Sequence, residues 1–333
     1  MNYLKKAGEI VVKSIGIWYE IYGEEMPQLD FHVNLWNLKR NNKSISPFVD
    51  FGISIPDFRK IKALDILLPF SIDDNEIIDL YELVKTPDIA RLIFNEIECE
   101  ISSKDRYAVI ESDNFGKPKL LVNIKNEGKL ESFICHRDDA EMSSFSMNFQ
   151  ELAKDEKFAE YDDLYIRFRV KSESIKESLF CPVYKKNWFL ESGFMETQIV
   201  DIKINQERNL PHDVCKNYRL NKYKFAIFRK IHLLVMSNSN DEVDSFGTGI
   251  YECRKLEEHD WDDYLGNNYN VTNVLAYHWK EKSKDETGLL NFSKLIRIST
   301  ASTNMKVIIT YVLVVILLGA CGSALIELIK CFL

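Results

Sequence analysis

The sequence predicts an α+β or mainly β soluble body with inserted helices, plus one C-terminal transmembrane helix. Three observations carry that expectation. Apolar and polar residues alternate through much of the 333-residue chain, the period of half-buried strands. Helical patterns are few and do not alternate regularly with strands, which disfavours a doubly wound sheet. Near the end, residues 307–326, VIITYVLVVILLGACGSALI, carry no charge.

FHVNLWNL (31–38), FVDFGISI (48–55), YAVIES (107–112) and KLLVNI (119–124) are rich in aromatic and β-branched residues and read as strands. In DLYIRFRVK (163–171), Ile166, Phe168 and Val170 point one way and Tyr165, Arg167, Arg169 and Lys171 the other. A half-buried strand is expected there. TQIVDIKIN (197–205) sets Val200, Ile202 and Ile204 on one face. YKFAIFRKIHLLVM (223–236) suits one buried strand or a bent pair, and GIYECRKL (249–256) is a further strand.

Ser71 to Asp74 resembles a capping box ahead of a helix over 76–84. Thr86 and Pro87 serve as cap and first turn of a second helix to about Ile97. Residues 148–157 form a third candidate, and HDWDDYL (259–265) a short helix stopped by Gly266. A last helix begins near Ser302 or Thr303 and runs on through the apolar tail. SNSNDEVDS (237–245) reads as a surface loop, and HWKEKSKDETG (278–288) as charged and exposed. The expected division is a body over 1–290, a basic juxtamembrane segment over 291–306, the membrane helix over 307–326 and a far-side tail over 327–333. Two β-rich halves with a break near 127–160 remain an open subdivision of the body.

Composition bounds the chemistry. Apolar residues make up 46% and charged residues 28%, the mix of a globular protein with a sizeable core. The net charge of −8 argues against broad nucleic-acid binding, because an acidic protein repels a phosphate backbone. The seven cysteines include no C-x-x-C pair, so neither a disulfide framework nor a zinc ribbon is indicated. Scattered thiols suit a reducing cytosol. Glu9 and Lys13 interrupt the apolar N-terminal stretch, so a signal peptide is rejected.

A helix of about 20 residues spans about 30 Å, the thickness of a bilayer's hydrocarbon core. Lys294, Arg297 and Lys306 flank the near side without an acid, and the positive-inside rule therefore places the body in the cytoplasm. Gly319 and Ser323 are four apart, as are Ala320 and Ala324. Small residues at that spacing let two helices approach closely, so they are the candidates for helix packing and homo-oligomerisation. Cys331 is third from the end, one position away from a prenylation box.

Tyr165, Arg167, Arg169 and Lys171 form the best basic stripe and are the candidate ligand-binding residues. Arginines two apart on a strand can grip phosphate bidentately; the alternative is an exposed strand face paired with acids of its neighbour. CHRDD (135–139) gathers Cys135 and His136, but neighbours on a strand diverge. His212, Asp213 and Cys215 would need Cys253 and His259 to make a zinc site, and they lack the usual paired spacing. The acids around Trp261 form one run, where a two-metal site needs several elements. No catalytic residue, metal site or cofactor is assigned. P-loop, dinucleotide, G-x-S-x-G, H-E-x-x-H and kinase motifs are missing from the sequence.

The expected function is a tail-anchored protein with a cytoplasmic sensing or binding domain, an effector that clusters at the bilayer or perturbs it. Its expected partners are the lipid bilayer, further copies of itself, and a small molecule or protein ligand. A membrane-tethered hydrolase with a dispersed site and a structural assembly factor are the two alternatives.

Overall fold

Phe48–Ile55 is buried at every position, so its two alternating sets of side chains enter two different cores. In the computed structural model this strand lies near the middle of a ten-stranded mixed sheet. The structure describes residues 14–40, 43–104, 107–139, 142–154, 156–183, 195–246, 250–266, 269, 271–285, 287–301 and 305–332. The large sheet runs in the order Ile250–Lys255, Val274–Lys282, Ile227–Asn238, Gln28–Asn37, Phe48–Ile55, Asp163–Val170, Lys119–Val122, Tyr107–Glu111 and Glu100–Ser103. Ile77–Asp79 pairs with the far half of Asp163–Val170. Most pairs are antiparallel, but Ile227–Asn238 runs parallel to Gln28–Asn37, and Lys119–Val122 parallel to Asp163–Val170.

One face of this sheet packs against two smaller sheets. Ile17, Ile66 and Phe145 come from a five-stranded sheet, and Val200, Ile202, Ile296 and Ile298 from a four-stranded one. They share a core with Phe31, Val33, Phe51, Ile53, Ile166 and Phe168 of the large sheet. That core joins residues from early and late in the chain, on both sides of residues 127–160.

The opposite face is covered at one end by the helices Tyr81–Val84, Pro87–Phe94 and Glu258–Leu265. Trp36, Phe48, Ile89, Trp261 and Tyr264 meet there. Asn95 in the left-handed region ends the second of these helices, and Gly266, at φ 78°, ends the third. Glycine reaches that conformation without a Cβ penalty. On the outer side of the five-stranded sheet, the helix His212–Leu220 stacks Tyr218 on Trp18 at 4.3 Å between ring centres.

The mainly β reading with inserted helices and one apolar terminal helix holds. Several elements differ from expectation. Residues 77–79 form a strand, not helix, and only Tyr81–Val84 is α-helical. The capping box expected at Ser71 and Asp74 lies two residues later, at Asp73 and Glu76, and closes a single 3₁₀ turn. The sheet edge offered by Asp163–Val170 overrides the local helical signal. His278 to Lys282 belong to a strand, and residues 242–246 do as well. Residues 292–301, expected as part of a juxtamembrane segment, are the Phe292–Ala301 strand. It lies between Met195–Ile204 and Glu242–Phe246, which satisfy its two edges. Asp163–Val170, expected to be half-buried, is buried on both faces, because helices cover the side that carries its arginines.

The terminal helix runs over Met305–Phe332. Its 20-residue apolar window, Ile308–Glu327, has none of its residues buried in the body.

Candidate functional site

The covered face of the large sheet turns polar beyond the helices. Cross-strand register builds it row by row. Asn34 lies opposite Asp50, and Asp50 opposite Arg169. In the next row, Lys280, His232, His32, Gly52 and Arg167 stand side by side on five adjacent strands. These residues occupy the polar phase of strands whose other phase fills the main core.

Arg169 is paired with a carboxylate, and Arg167 stands beside that pair. Arg169 donates to Asp50 through Nε at 2.6 Å and Nη2 at 3.0 Å. Asp50 also accepts from Trp36 Nε1 at 2.8 Å and from Tyr264 Oη at 2.7 Å. Burial pushes the Asp50 carboxyl up, but the Arg169 guanidinium and its hydrogen bonds hold it below the usual carboxylate range. Arg167 donates Nε to Tyr264 Oη at 2.8 Å and Nη1 to Tyr165 Oη at 3.1 Å. Burial raises the Tyr264 phenol above its ordinary value, so it supplies a dipole here and no charge. Arg167 and Arg169 are only 2% and 3% exposed.

Beside them sit three half-buried histidines from three adjacent strands. The rings of His32 and His232 lie 4.6 Å apart, and His232 Nδ1 is 3.0 Å from His278 Nε2. Glu252 approaches His278 Nδ1 at 3.8 Å. Burial, then His232 and Arg167, hold His32 well below the ordinary imidazole value. Burial, then His278 and Lys280, depress His232 to about 4. His278 is lowered chiefly by burial, against the opposing pull of Glu252. All three are therefore neutral at physiological pH.

These shifts predict acid sensitivity. An unfolded histidine titrates near 6.5, whereas folded His232 waits until about 4. Between those values the unfolded chain binds more protons, so stability is complete above about 6.5 and falls as pH drops toward 4. Asp50, held low, keeps its full contribution to stability above the ordinary carboxylate value and loses it only below that value. Melting temperature followed from neutral to about pH 4 should decline, and His232→Gln should flatten the decline. An equally steep decline in the variant would show that other groups cause it.

The stripe expected as a ligand-binding face is thus one face but not a uniform one. Tyr165 and Arg167 join the histidine row, and Arg169 is occupied by Asp50. Lys171 lies over the rings of Phe48 and Tyr269, at 5.4 and 4.9 Å. Cys135 is exposed, and His136 stacks on Phe145 at 4.8 Å between ring centres with Nδ1 toward Asp74. His212 and Asp213 are exposed at the start of their helix, while Cys215 is buried under Trp18. Cys253 stands exposed on the edge strand, and the His259 side chain lies outside the described residues. Among the described residues, no three His, Cys, Asp or Glu side chains have metal-holding geometry. On the terminal helix, Gly319, Ala320, Ser323 and Ala324 are exposed, and the Ser323 hydroxyl donates to its own helix at Gly319 O, 3.0 Å.

Sequence reasoning missed the three histidines. Their positions, 32, 232 and 278, have no motif spacing; only register brings them together. The one available signal was a histidine at the polar phase of each of three apolar strands.

No family model matches this chain, and no curated protein matches it. Among solved structures, one match is the Fcho1 Mu homology domain from Danio rerio with bound Eps15 peptide. It is 7% identical, covers 88% of this chain and 82% of that chain, and superposes with a TM-score of 0.15, which carries no argument about this chain.

Proposed function

We propose that this chain is a tail-anchored, single-pass membrane protein. Its body binds a ligand at the cytoplasmic surface, and its terminal helix holds and clusters that body at the bilayer. The observation behind this reading is the terminal helix, apolar for 20 residues and unburied throughout that window. Leaving about a dozen large apolar side chains in water would cost on the order of 20 kcal/mol. That exceeds the whole stability of an ordinary domain, so something apolar covers the helix. A bilayer matches its length, and a backbone bonded within one helix suits lipid. The body closes its own cores without the helix.

Lys294, Arg297 and Lys306 support the cytoplasmic orientation, although two of them now belong to a body strand. Lys294 lies 5.9 Å above the Trp279 ring, and Arg297 donates to Asp244 through Nε at 3.1 Å. Gly319 and Gly322 have open space where a Cβ would stand, which leaves their side of the helix free to meet a second helix.

Membrane crosslinking of wild type and Gly319→Leu tests anchoring and clustering together. Both proteins should stay with membranes through alkaline extraction, because leucine only raises apolarity. The leucine variant should crosslink several-fold less, since its side chain holds the backbones apart. Release of wild type by alkali would overturn the anchor, and equal crosslinking would remove the clustering.

A further inference from the structure

We propose that the polar half of the large sheet's covered face binds an anionic oxygen group of the phosphate class, with Arg167, Lys119 and His32 as its donors. The first reason is charge. Arg167 and Arg169 are both buried, and among the described residues Asp50 is the one carboxylate bonded to either. Arg167 bonds to two tyrosine hydroxyls and to no carboxylate among the described residues. Lys119, half-buried, gives its ammonium to the neutral Ser54 hydroxyl at 3.0 Å. Two acids act on Lys119 from nearby strands: Asp163, opposite it in register and not hydrogen-bonded to it, and Asp30, which is paired with Arg229, whose Nε lies 2.9 Å from Oδ1. A buried guanidinium without its own counter-charge is costly, and an anionic ligand supplies that charge.

The second reason is geometry. Gly52 stands between His32 and Arg167, and a Cβ there would come within 2.6 Å of Tyr165 Oη and 2.9 Å of Arg167 Nη1. The guanidinium tip therefore lies over Gly52. Lys119 lies over Ser54, the next residue on the same face of that strand. Same-face neighbours are about 7 Å apart, the separation a phosphate bridges with a hydrogen bond to each side. The third reason is an idle polar group. Asn34, two residues from His32 on this face, is 5% exposed, and its Oδ1 has no hydrogen-bond partner among the described residues. Rotating that amide by half a turn presents an N–H donor instead.

The neutral histidines provide the readout. An anion beside His32 and His232 favours their protonated forms and raises their titration points. The full chain, in phosphatidylcholine nanodiscs, is titrated at neutral pH with inorganic phosphate against chloride at equal ionic strength. Phosphate should shift the imidazole NMR signals of His32 and His232 saturably and raise the melting temperature. Lys119→Met should weaken this by about tenfold or more, as loss of a charge-assisted hydrogen bond does. Gly52→Ala should weaken it similarly by displacing the guanidinium, and a cooperative melt in chloride, lowered in Gly52→Ala by the displaced side chains, certifies the fold of either variant. A second arm uses nanodiscs of phosphatidylcholine and phosphatidic acid at about 4:1. Histidine shifts there without added phosphate identify a lipid headgroup as the source, and shifts only on adding phosphate identify a soluble ligand.

The inference does not rest on the anchored reading: a chain that fails to enter nanodiscs is titrated in detergent, and only the anchor is lost. Silent histidines in both arms, or equal shifts in wild type and both variants, would overturn the anion site.

Discussion

Asp50→Ala is expected to destabilise the body by about 4 kcal/mol, the scale of breaking a buried ion pair by removing one partner. Alanine leaves Arg169 and Arg167 buried with no carboxylate between them, and it strands the Trp36 indole N–H. For a domain of this size that is a fall of about 10 °C in melting temperature. Asp50→Asn keeps the shape and some acceptors but not the charge, and should lie between wild type and alanine. Urea and thermal melts of the three proteins would decide it. A loss below about 1 kcal/mol in Asp50→Ala would show that the two arginines do not depend on this carboxylate.

Cutting the chain after Asn304 is expected to move the protein from membranes to solution with its melting temperature unchanged within a degree or two. The helix that is lost contributes nothing to either core. Cutting at residue 290, the body limit expected from sequence, should have the opposite outcome. It removes Phe292, Ile296 and Ile298 from the main core. It also leaves Met195–Ile204 and Glu242–Phe246 without the strand between them. Exposed edges of that kind invite aggregation. Fractionation and melts of the two shortened proteins check both outcomes. A soluble, cooperatively melting chain ending at 290 would contradict the place of the last strand in the fold.

The sequence makes the fold class legible and part of its wiring. Strands such as Phe48–Ile55 and Asp163–Val170 declare themselves through β-branched and aromatic residues. Val274–Lys282 did not, because its second half, HWKEK, reads as a solvated charged run. Its indole is nevertheless buried, since that phase faces the core. The arginine stripe was visible, but not its partners. Asp50 lies 119 residues before Arg169, and Tyr264 lies 97 after Arg167. No local pattern encodes such separations. Helix 76–84 failed for a related reason: whether Ile77–Asp79 extends depends on a free edge of a strand formed much later in the chain.

The Phe292–Ala301 strand also sets a mechanical condition. Four Cα steps lead from its last residue to the first turn of the terminal helix, a reach of about 14 Å at full extension. With that helix in a bilayer, the leash is too short for the body to tumble freely above it. Lateral drag on the helix would pass straight into a strand paired along all ten of its residues. Such a ladder shares load among many hydrogen bonds at once, so the strand would resist being peeled from its sheet by a pull on the helix.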